Sequence, residues 1–191
     1  MLKIDSPYIF FVLEDQWPIE KVDQGIIDEC LDYMEKNTDV GIIYLETAGT
    51  GGVKQSVKFD DTYNEIPFGA PYRFSCAPGI FRRQFLLSIL QKECSAWEFE
   101  RRFSFAEAGR EMRVLELSKT AWKRLAQLGA ITRGKWVREM RGYAKAVGAE
   151  IDYGKRAELT MRDIFALNVK SFIFNINPAL IVKIQNMKKE T

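Results

Sequence analysis

The chain has 191 residues, of which 47% are hydrophobic and 28% charged, and its formal net charge is +2. This composition suits one globular domain with a hydrophobic core, and the charge by itself favours neither a nucleic-acid binder nor a binder of acidic surfaces. The chain contains no histidine, which excludes histidine-dependent catalysis and histidine-ligated zinc. Acid–base chemistry is left to carboxylates, lysine or tyrosine, and a metal ion would have oxygen ligands, which suit Mg²⁺ or Mn²⁺.

The cysteines and the apolar runs indicate the cellular setting. Cys30, Cys76 and Cys94 are scattered and have no CxxC spacing, so we predict buried free thiols rather than a disulfide framework or a zinc knuckle. No apolar run is long enough to span a bilayer, and the first residues do not form a signal peptide. We therefore expect a cytoplasmic protein without a membrane span.

The first 45 residues predict a strand, a helix and a second strand. Residues 8–13 (YIFFVL) are typical of a strand buried on both faces, and Asp23 is a suitable N-cap for the helix that follows. Residues 40–45 (VGIIYL) predict a second buried strand, so the order implies a parallel crossover. Glu14 and Asp15 follow the first strand directly and are expected at the carboxyl edge of a sheet, where α/β folds bind ligands. The helix presents one apolar face, formed by Ile26, Ile27, Cys30, Leu31 and Met34.

The middle of the chain is less regular. Thr47–Gly52 (TAGTGG) lacks the framing of a phosphate-binding motif and is interpreted as a flexible loop. Residues 53–75 predict short hairpin strands around a turn, and residues 80–90 predict a helical face, with Arg82 and Arg83 on a solvated surface. Residues 112–118 (MRVLELS) are typical of another strand.

The last sixty residues predict helices. Residues 134–147 (GKWVREMRGYAKAV) have the pattern of a basic amphipathic helix, and Gly148 suits its C-terminal end. A second amphipathic stretch runs over residues 164–176, followed by apolar and basic residues. We expect a helix pair that packs on the domain, and the alternative is contact with a membrane surface or another copy.

Four segments, taken in order, resemble sequence blocks of a family of bacterial and phage GT-A glycosyltransferases. They are Tyr8–Trp17 (YIFFVLEDQW), Tyr72–Arg83 (YRFSCAPGIFRR), Ser95–Glu100 (SAWEFE), and Gly134–Arg138 (GKWVR) with Ile151–Arg156 (IDYGKR). The resemblance implies an α/β fold with a partial GT-A-like (Rossmann-like) mixed sheet flanked by helices. It places the glycosyltransferase domain at residues 1–157 and a C-terminal helical extension at residues 158–191.

The chain departs from that family in three respects. Its acidic pair is Glu14-Asp15 where two aspartates are expected, and it lacks the late histidine that many GT-A enzymes use as a metal ligand. The acidic strand also begins within the first ten residues. We therefore expect the acceptor-side portion of the family's fold, without the nucleotide-binding half that usually lies upstream.

The resemblance implies transfer of a sugar from a nucleotide-sugar donor to a glycan, a protein or a modified phage DNA base, with Mn²⁺ or Mg²⁺ as cofactor. The alternative is a non-catalytic, truncated module or subunit that binds a glycan, a nucleotide or a protein partner. A third possibility is that a complementary chain, or a second copy in a homo-oligomer, supplies the missing half.

Candidate site residues follow from these blocks. Asp15, with Glu14 as its partner, is the predicted metal ligand, and Glu100 is the predicted general base. Glu98 is the second catalytic candidate; on a helix it diverges from Glu100 by roughly 200°, so only one of the two faces the site, and a helix-cap role suits Glu98.

Five residues are predicted to bind substrate. Trp97 either forms a wall of the acceptor pocket or belongs to the core, and Trp17 is the aromatic residue beside the acid pair. Arg73 and Lys135 are candidates for the phosphate oxygens, with Lys135 placed at a predicted helix start. The fifth candidate is Trp136 of the GKWVR block.

Overall fold

The computed structural model describes residues 5–18, 21–45, 56–70, 72–90, 95–96, 99–100, 109–122 and 127–176. The chain forms two compact units. The first unit comprises Met1–Leu13 and Lys21–Ala126, and the second comprises Glu14–Glu20 and Gln127–Thr191. The predicted domain division at residue 157 rests on the family resemblance and stays a prediction.

The helices and strands alternate along the chain. In order they are β1 (Tyr8–Phe11), β2 (Gln16–Pro18), α1 (Gln24–Lys36), β3 (Val40–Tyr44), β4 (Val57–Lys58), β5 (Tyr63–Glu65), β6 (Gly79–Arg82), α2 (Arg83–Ile89), β7 (Arg113–Leu117), α3 (Lys119–Trp122), β8 (Gln127–Gly129), β9 (Ile131–Thr132), β10 (Lys135–Trp136), α4 (Met140–Val147) and α5 (Met161–Ile176).

The first unit contains a six-stranded mixed sheet in the order β1-β6-β3-β7-β5-β4. Strands β3 and β7 pair in parallel, and the other neighbours pair antiparallel. Side chains alternate between the two faces of a strand, so the buried residues form two clusters. Helix α1 contributes to the cluster that contains Ile43 and Leu115, and α2 contributes to the one that contains Ile42 and Val114. The fold is therefore α/β, with a mixed sheet flanked by helices, as predicted.

Helix α1 and strand β3 confirm the helix after Asp23 and the buried strand at residues 40–45 that the sequence predicts. The Asp23 carboxylate accepts a hydrogen bond of 2.9 Å from the N–H of Gly25, which makes Asp23 the N-cap. Ile26, Cys30 and Met34 are fully buried, and every residue of β3 is buried. The β4–β5 hairpin is also confirmed.

Strand β1 is not buried on both faces, contrary to the prediction, because Phe10 is 55% exposed. Strands β1 and β3 run in the same direction, as the crossover predicts, but β6 lies between them and pairs antiparallel with both. Because β6 lies between β1 and β3, β1 stands at the edge of the sheet and pairs with one described strand.

The predicted helix over residues 80–90 is wrong in its first part. Residues 79–82 form β6, and the helix begins at Arg83. Ile80 and Phe81 belong to the two different core clusters, because they point to opposite faces of the sheet. A short apolar run that is buried on both faces does not distinguish strand from helix by its periodicity.

Arg82 does not lie on a solvated surface, contrary to the prediction. Its guanidinium donates to the carbonyl oxygens of Met34 at 2.6 Å and Val40 at 3.1 Å. These hydrogen bonds connect the end of α1 to the start of β3 and to β6. Arg82 therefore holds the helix against the sheet.

The second unit contains two small antiparallel sheets, β2-β8 and β9-β10, and two helices. The predicted helix over residues 134–147 is wrong in its first part, because Arg133 and Gly134 have positive φ angles of 51° and 74° and form the turn between β9 and β10. Helix α4 begins at Met140. Gly148 ends it in the left-handed conformation, as predicted.

Some sequence predictions fall on other parts of the chain. Thr47–Gly52, Cys94 and residues 177–191 lie outside the described residues. Among the residues that the structure describes, no helix combines the length and the apolar content required to cross a membrane.

Gly41 provides a test of the packing between β3 and α2. A Cβ atom at Gly41 would come closer than 3.0 Å to three ring carbons of Phe85, whereas one at Gly142 in α4 would meet nothing within 4 Å. We expect Gly41→Ala to lower the free energy of unfolding by about 1–3 kcal/mol. The matched change Gly142→Ala should raise it by about 0.5–1 kcal/mol. Urea denaturation of both variants measures the difference, and equal stabilities would contradict the packing.

Candidate functional site

A group of buried polar side chains lies at the carboxyl end of the parallel strands β3 and β7. Tyr44 is the last residue of β3 and is the register partner of Glu116 in β7. The two residues are 3% and 2% exposed, respectively. Sheets of α/β proteins bind ligands outside the carboxyl ends of their parallel strands. With Ser75 and Glu100, described next, these residues form what we call the strand-end cluster.

Tyr44 fixes the segment around Ser75. Its hydroxyl accepts a hydrogen bond of 2.7 Å from the N–H of Ser75 and lies 3.3 Å from the carbonyl oxygens of Arg73 and Ser75, to which it donates. Burial raises the pKa of Tyr44. The phenol therefore stays protonated and keeps its donor.

Glu100 joins two of the sequence blocks that resemble the glycosyltransferase family. Its Oε1 accepts hydrogen bonds from the N–H of Cys76 at 2.9 Å and from Oγ of Ser75 at 3.3 Å. The rings of Phe74 and Phe99 stack beside them, with centroids 6.2 Å apart. Blocks 72–83 and 95–100 thus meet at one carboxylate, which is 8% exposed.

Glu116 is a member of the cluster that sequence reasoning missed. Its Oε1 accepts a hydrogen bond of 2.6 Å from Oγ of Ser56. The available signal was the strand RVLEL itself, where a glutamate stands between two leucines that are fully buried. Carboxylates are rarely buried to this degree without partners, so such a residue points to a hydrogen-bonded or functional position.

Arg73, a predicted substrate ligand, is buried in the first unit and donates to backbone carbonyls. Its guanidinium forms hydrogen bonds with the carbonyl oxygens of Ile66, Gly109 and Met112. Only 2% of the residue is exposed, and burial lowers the pKa of Arg73. In this geometry Arg73 connects its own segment to residue 66 and to residues 109–112, and a contact with substrate stays a prediction.

Glu14 and Asp15 lie in the second unit, in the turn that precedes β2. The turn is held by Nε1 of Trp17, which donates to the carbonyl of Glu14 at 2.8 Å, and by the N–H of Ala130, which donates to the carbonyl of Asp15 at 2.7 Å. Glu14 is exposed. The Oδ1 atom of Asp15 is buried, and no group of the described chain forms a hydrogen bond with it.

The described residues do not form a complete set of protein ligands for a divalent metal. Within the described ranges, no three Asp, Glu, Cys or His side chains are grouped so that they could hold a metal ion. Mg²⁺ often binds one or two carboxylates and completes its shell with water and substrate phosphates. The unpartnered Oδ1 of Asp15 fits this second arrangement, in which the protein supplies few ligands.

The two described tryptophan candidates have aromatic or cationic neighbours. The ring of Trp17 contacts that of Tyr143 edge to face, with centroids 5.8 Å apart. The guanidinium of Arg156 lies over the ring of Trp136 at 5.5 Å. Both tryptophans are half-buried. Trp97 and Glu98, the remaining candidates of the SAWEFE block, lie outside the described residues.

Lys135 does not begin a helix, so the prediction that helix N–H groups add to its charge is wrong. It lies in β10, and its Nζ is 2.9 Å from Oδ2 of Asp163. Thr160 donates to the same oxygen through its N–H at 2.9 Å and its hydroxyl at 2.7 Å. Its Oγ1 also accepts a hydrogen bond of 3.1 Å from the N–H of Asp163, which caps α5. Lys135 is therefore paired with a carboxylate of its own unit.

The candidate residues thus fall in both compact units. Arg73 and Glu100 belong to the first, whereas Glu14, Asp15, Trp17, Lys135 and Trp136 belong to the second. Comparisons of the chain with protein-family models, with curated proteins and with solved structures found no match.

Arg73→Lys tests whether this residue is a structural clamp. Lysine keeps the charge but does not reproduce the planar guanidinium fork, so at least one buried carbonyl is left without a donor. We expect a loss of about 2–4 kcal/mol in the free energy of unfolding without any ligand. The same substitution at the exposed Arg133 is the control and should change stability by less than about 0.5 kcal/mol. Similar changes in the free energy of unfolding for both variants would show that Arg73 is not a structural clamp.

The pKa of Asp163 reports on its pairing with Lys135. It lies below the ordinary value of 3.8, mainly because Lys135 donates a hydrogen bond to the carboxylate and also because Thr160 donates two more. Since the folded state holds this proton less tightly than the unfolded state, the resulting stability is complete above pH 3.8 and is lost as the pH falls through the folded pKa.

We expect Lys135→Met to move the pKa of Asp163 up towards 3.8, as measured by NMR titration of its carboxyl carbon. Lys145→Met, at an exposed lysine of α4, should leave the titration unchanged. An unchanged midpoint in Lys135→Met would show that the ion pair is absent in solution.

Proposed function

We propose that the chain is a GT-A-like glycosyltransferase that transfers a sugar from a nucleotide-sugar donor to a hydroxyl group of a glycan, a protein or a modified DNA base. One observation carries the proposal. Blocks 72–83 and 95–100, which resemble two blocks of that family, meet through Glu100 beside the carboxyl end of the parallel strands. This is the end at which α/β folds bind their ligands.

The proposed chemistry assigns the proton transfer to Glu100. In an inverting transfer the carboxylate takes the proton of the acceptor hydroxyl while the acceptor oxygen bonds to the anomeric carbon and the nucleoside diphosphate leaves. The bonds from Ser75 and Cys76 orient the carboxylate before substrate binds. A bound Mn²⁺ or Mg²⁺ would neutralise charge on the diphosphate, and the resemblance assigns that ion to Asp15, with Glu14 as its partner.

A second candidate function is a non-catalytic module that binds a glycan, a nucleotide or a protein partner. It is favoured by the hydrogen bonds of Glu100 and Arg73 within the chain. Glu100 anchors residues 75–76, and Arg73 binds three carbonyls, so both side chains have structural duties that do not depend on a reaction. A module of this kind would retain the strand-end cluster and lack metal-dependent donor binding.

A thermal-shift screen of sugar nucleotides with Mn²⁺ tests the transferase. A donor at a hundredfold excess over its Kd should raise the Tm by about 5–10 °C. Asp15→Asn should abolish the Mn²⁺-dependent part of the shift. Glu100→Gln should keep the shift, because the amide oxygen still accepts from Cys76, but should abolish sugar transfer and donor hydrolysis.

Matched controls are available on helix α1. Asp32→Asn and Glu35→Gln change exposed acids of the same types and should leave both the shift and the reaction unchanged. The absence of any shift with the common sugar nucleotides would contradict the transferase. A shift that survives both EDTA and Asp15→Asn, without turnover, would favour the binding module instead.

A further inference from the structure

Helix α5 of the second unit carries an exposed stripe of large apolar side chains. The stripe consists of Met161, Phe165, Val169 and Phe172, which are 66%, 70%, 40% and 67% exposed. Their spacing of four, four and three residues places them on one face of the helix. We call this set the α5 stripe.

Two apolar residues of α5 lie outside the stripe. They are Ile164 and Leu167, and both are half-buried. The carboxylate of Asp163, on the same helix, accepts hydrogen bonds from Lys135 and Thr160. A helix that is hydrophobic on more than one side is usually buried on each of them. One apolar side of α5 is partly covered within the chain, and the α5 stripe remains open to solvent.

Two arginines lie at the start of the stripe. Nη1 of Arg138 lies 2.8 Å from the sulfur of Met161, and Arg162 is exposed beside it. Residues 127–176 of the second unit contain nine Lys and Arg but five Asp and Glu. Two of these five acids, Asp163 and Glu158, already have Lys135 and Arg141 as partners. The α5 stripe therefore belongs to a unit whose sequence carries an excess of positive charge.

The dimensions of the stripe do not suit a second copy of the chain. A helix of 16 residues is about 24 Å long and about 10 Å wide, which gives a face of roughly 240 Å². A stable protein interface buries about 800 Å² per partner. A second copy that presented the same face would also bring its own Arg138 and Arg162 against those of the first. An anionic bilayer instead offers negative phosphates beside an apolar interior.

We propose that α5 binds the surface of an anionic lipid bilayer. The helix lies parallel to the membrane plane, with the α5 stripe buried about 5–10 Å into the boundary between headgroups and acyl chains. Arg138 and Arg162 contact lipid phosphates. The proposal does not depend on the transferase activity, because it rests on a face of α5 that contains none of the candidate site residues.

Flotation of the full-length chain with lipid vesicles tests the proposal. Vesicles of phosphatidylcholine with about 30% phosphatidylglycerol should bind the chain, and vesicles of phosphatidylcholine alone should bind it at least about tenfold more weakly. The double variant Phe165→Ser/Phe172→Ser should lose at least about tenfold in binding to the anionic vesicles. Arg162→Glu should weaken the same binding, and added salt should reduce its effect.

The control variant is Phe10→Ser, which removes an exposed phenylalanine from strand β1 and should bind vesicles like the unchanged chain. Circular dichroism and Tm measurements establish that each variant is folded. Equal binding to neutral and anionic vesicles, or no binding to either, would overturn the proposal. A dimer in sedimentation velocity that dissociates in the double variant would also overturn it, by assigning the stripe to a second copy.

Discussion

The guanidinium of Arg73 is buried in the first unit, where a charge is tolerated only if its hydrogen bonds are satisfied. Three backbone carbonyls provide these bonds, at Ile66 after β5 and at Gly109 and Met112 before β7. The same residue begins the segment that Tyr44 and Glu100 hold through Ser75 and Cys76. The position of the strand-end cluster therefore depends on Arg73, a buried cation that forms hydrogen bonds with main-chain oxygens instead of water.

Arg82 also donates its hydrogen bonds to backbone carbonyls, at the opposite end of strand β3 from Tyr44. It donates to carbonyls at the end of α1 and at the start of β3. The last carbonyl groups of a helix have no partner within the helix, so a nearby guanidinium both satisfies them and fixes the angle at which the helix meets the sheet. Arginine performs this task better than lysine because its donors are arranged in a rigid fork.

Local signals in the sequence were sufficient for part of the fold. Asp23 and the spacing of Ile26, Cys30 and Met34 predicted α1, and the apolar run at residues 40–45 predicted β3. The run at residues 79–82 was misassigned because its two-sided burial comes from the insertion of β6 between β1 and β3, which is a long-range pairing. The start of α4 was misplaced because Gly134 makes a hairpin turn with Arg133 rather than a helix start.

The candidate site was predictable to a similar extent. The sequence indicated Glu100 and the segment near Ser75 separately, but not that the carboxylate of one holds the backbone of the other. Glu116 escaped notice because its importance depends on pairing with Tyr44 across two strands that are seventy residues apart. The carboxyl pair Glu14-Asp15 was placed at a sheet edge, although the turn is fixed by Ala130, far along the chain.

The route of the chain between its two units has a consequence for synthesis. Strand β2 belongs to the second unit but is made early, and its partner β8 lies about 110 residues later. At translation rates of about 5–20 residues per second, β2 waits for roughly 5–20 seconds before β8 exists. The whole of the first unit, up to Ala126, is synthesised before β8, whereas the second unit cannot close until its later residues exist. Seven residues of the second unit, Glu14–Glu20, are therefore made early, but the unit is completed only when the last third of the chain has been synthesised.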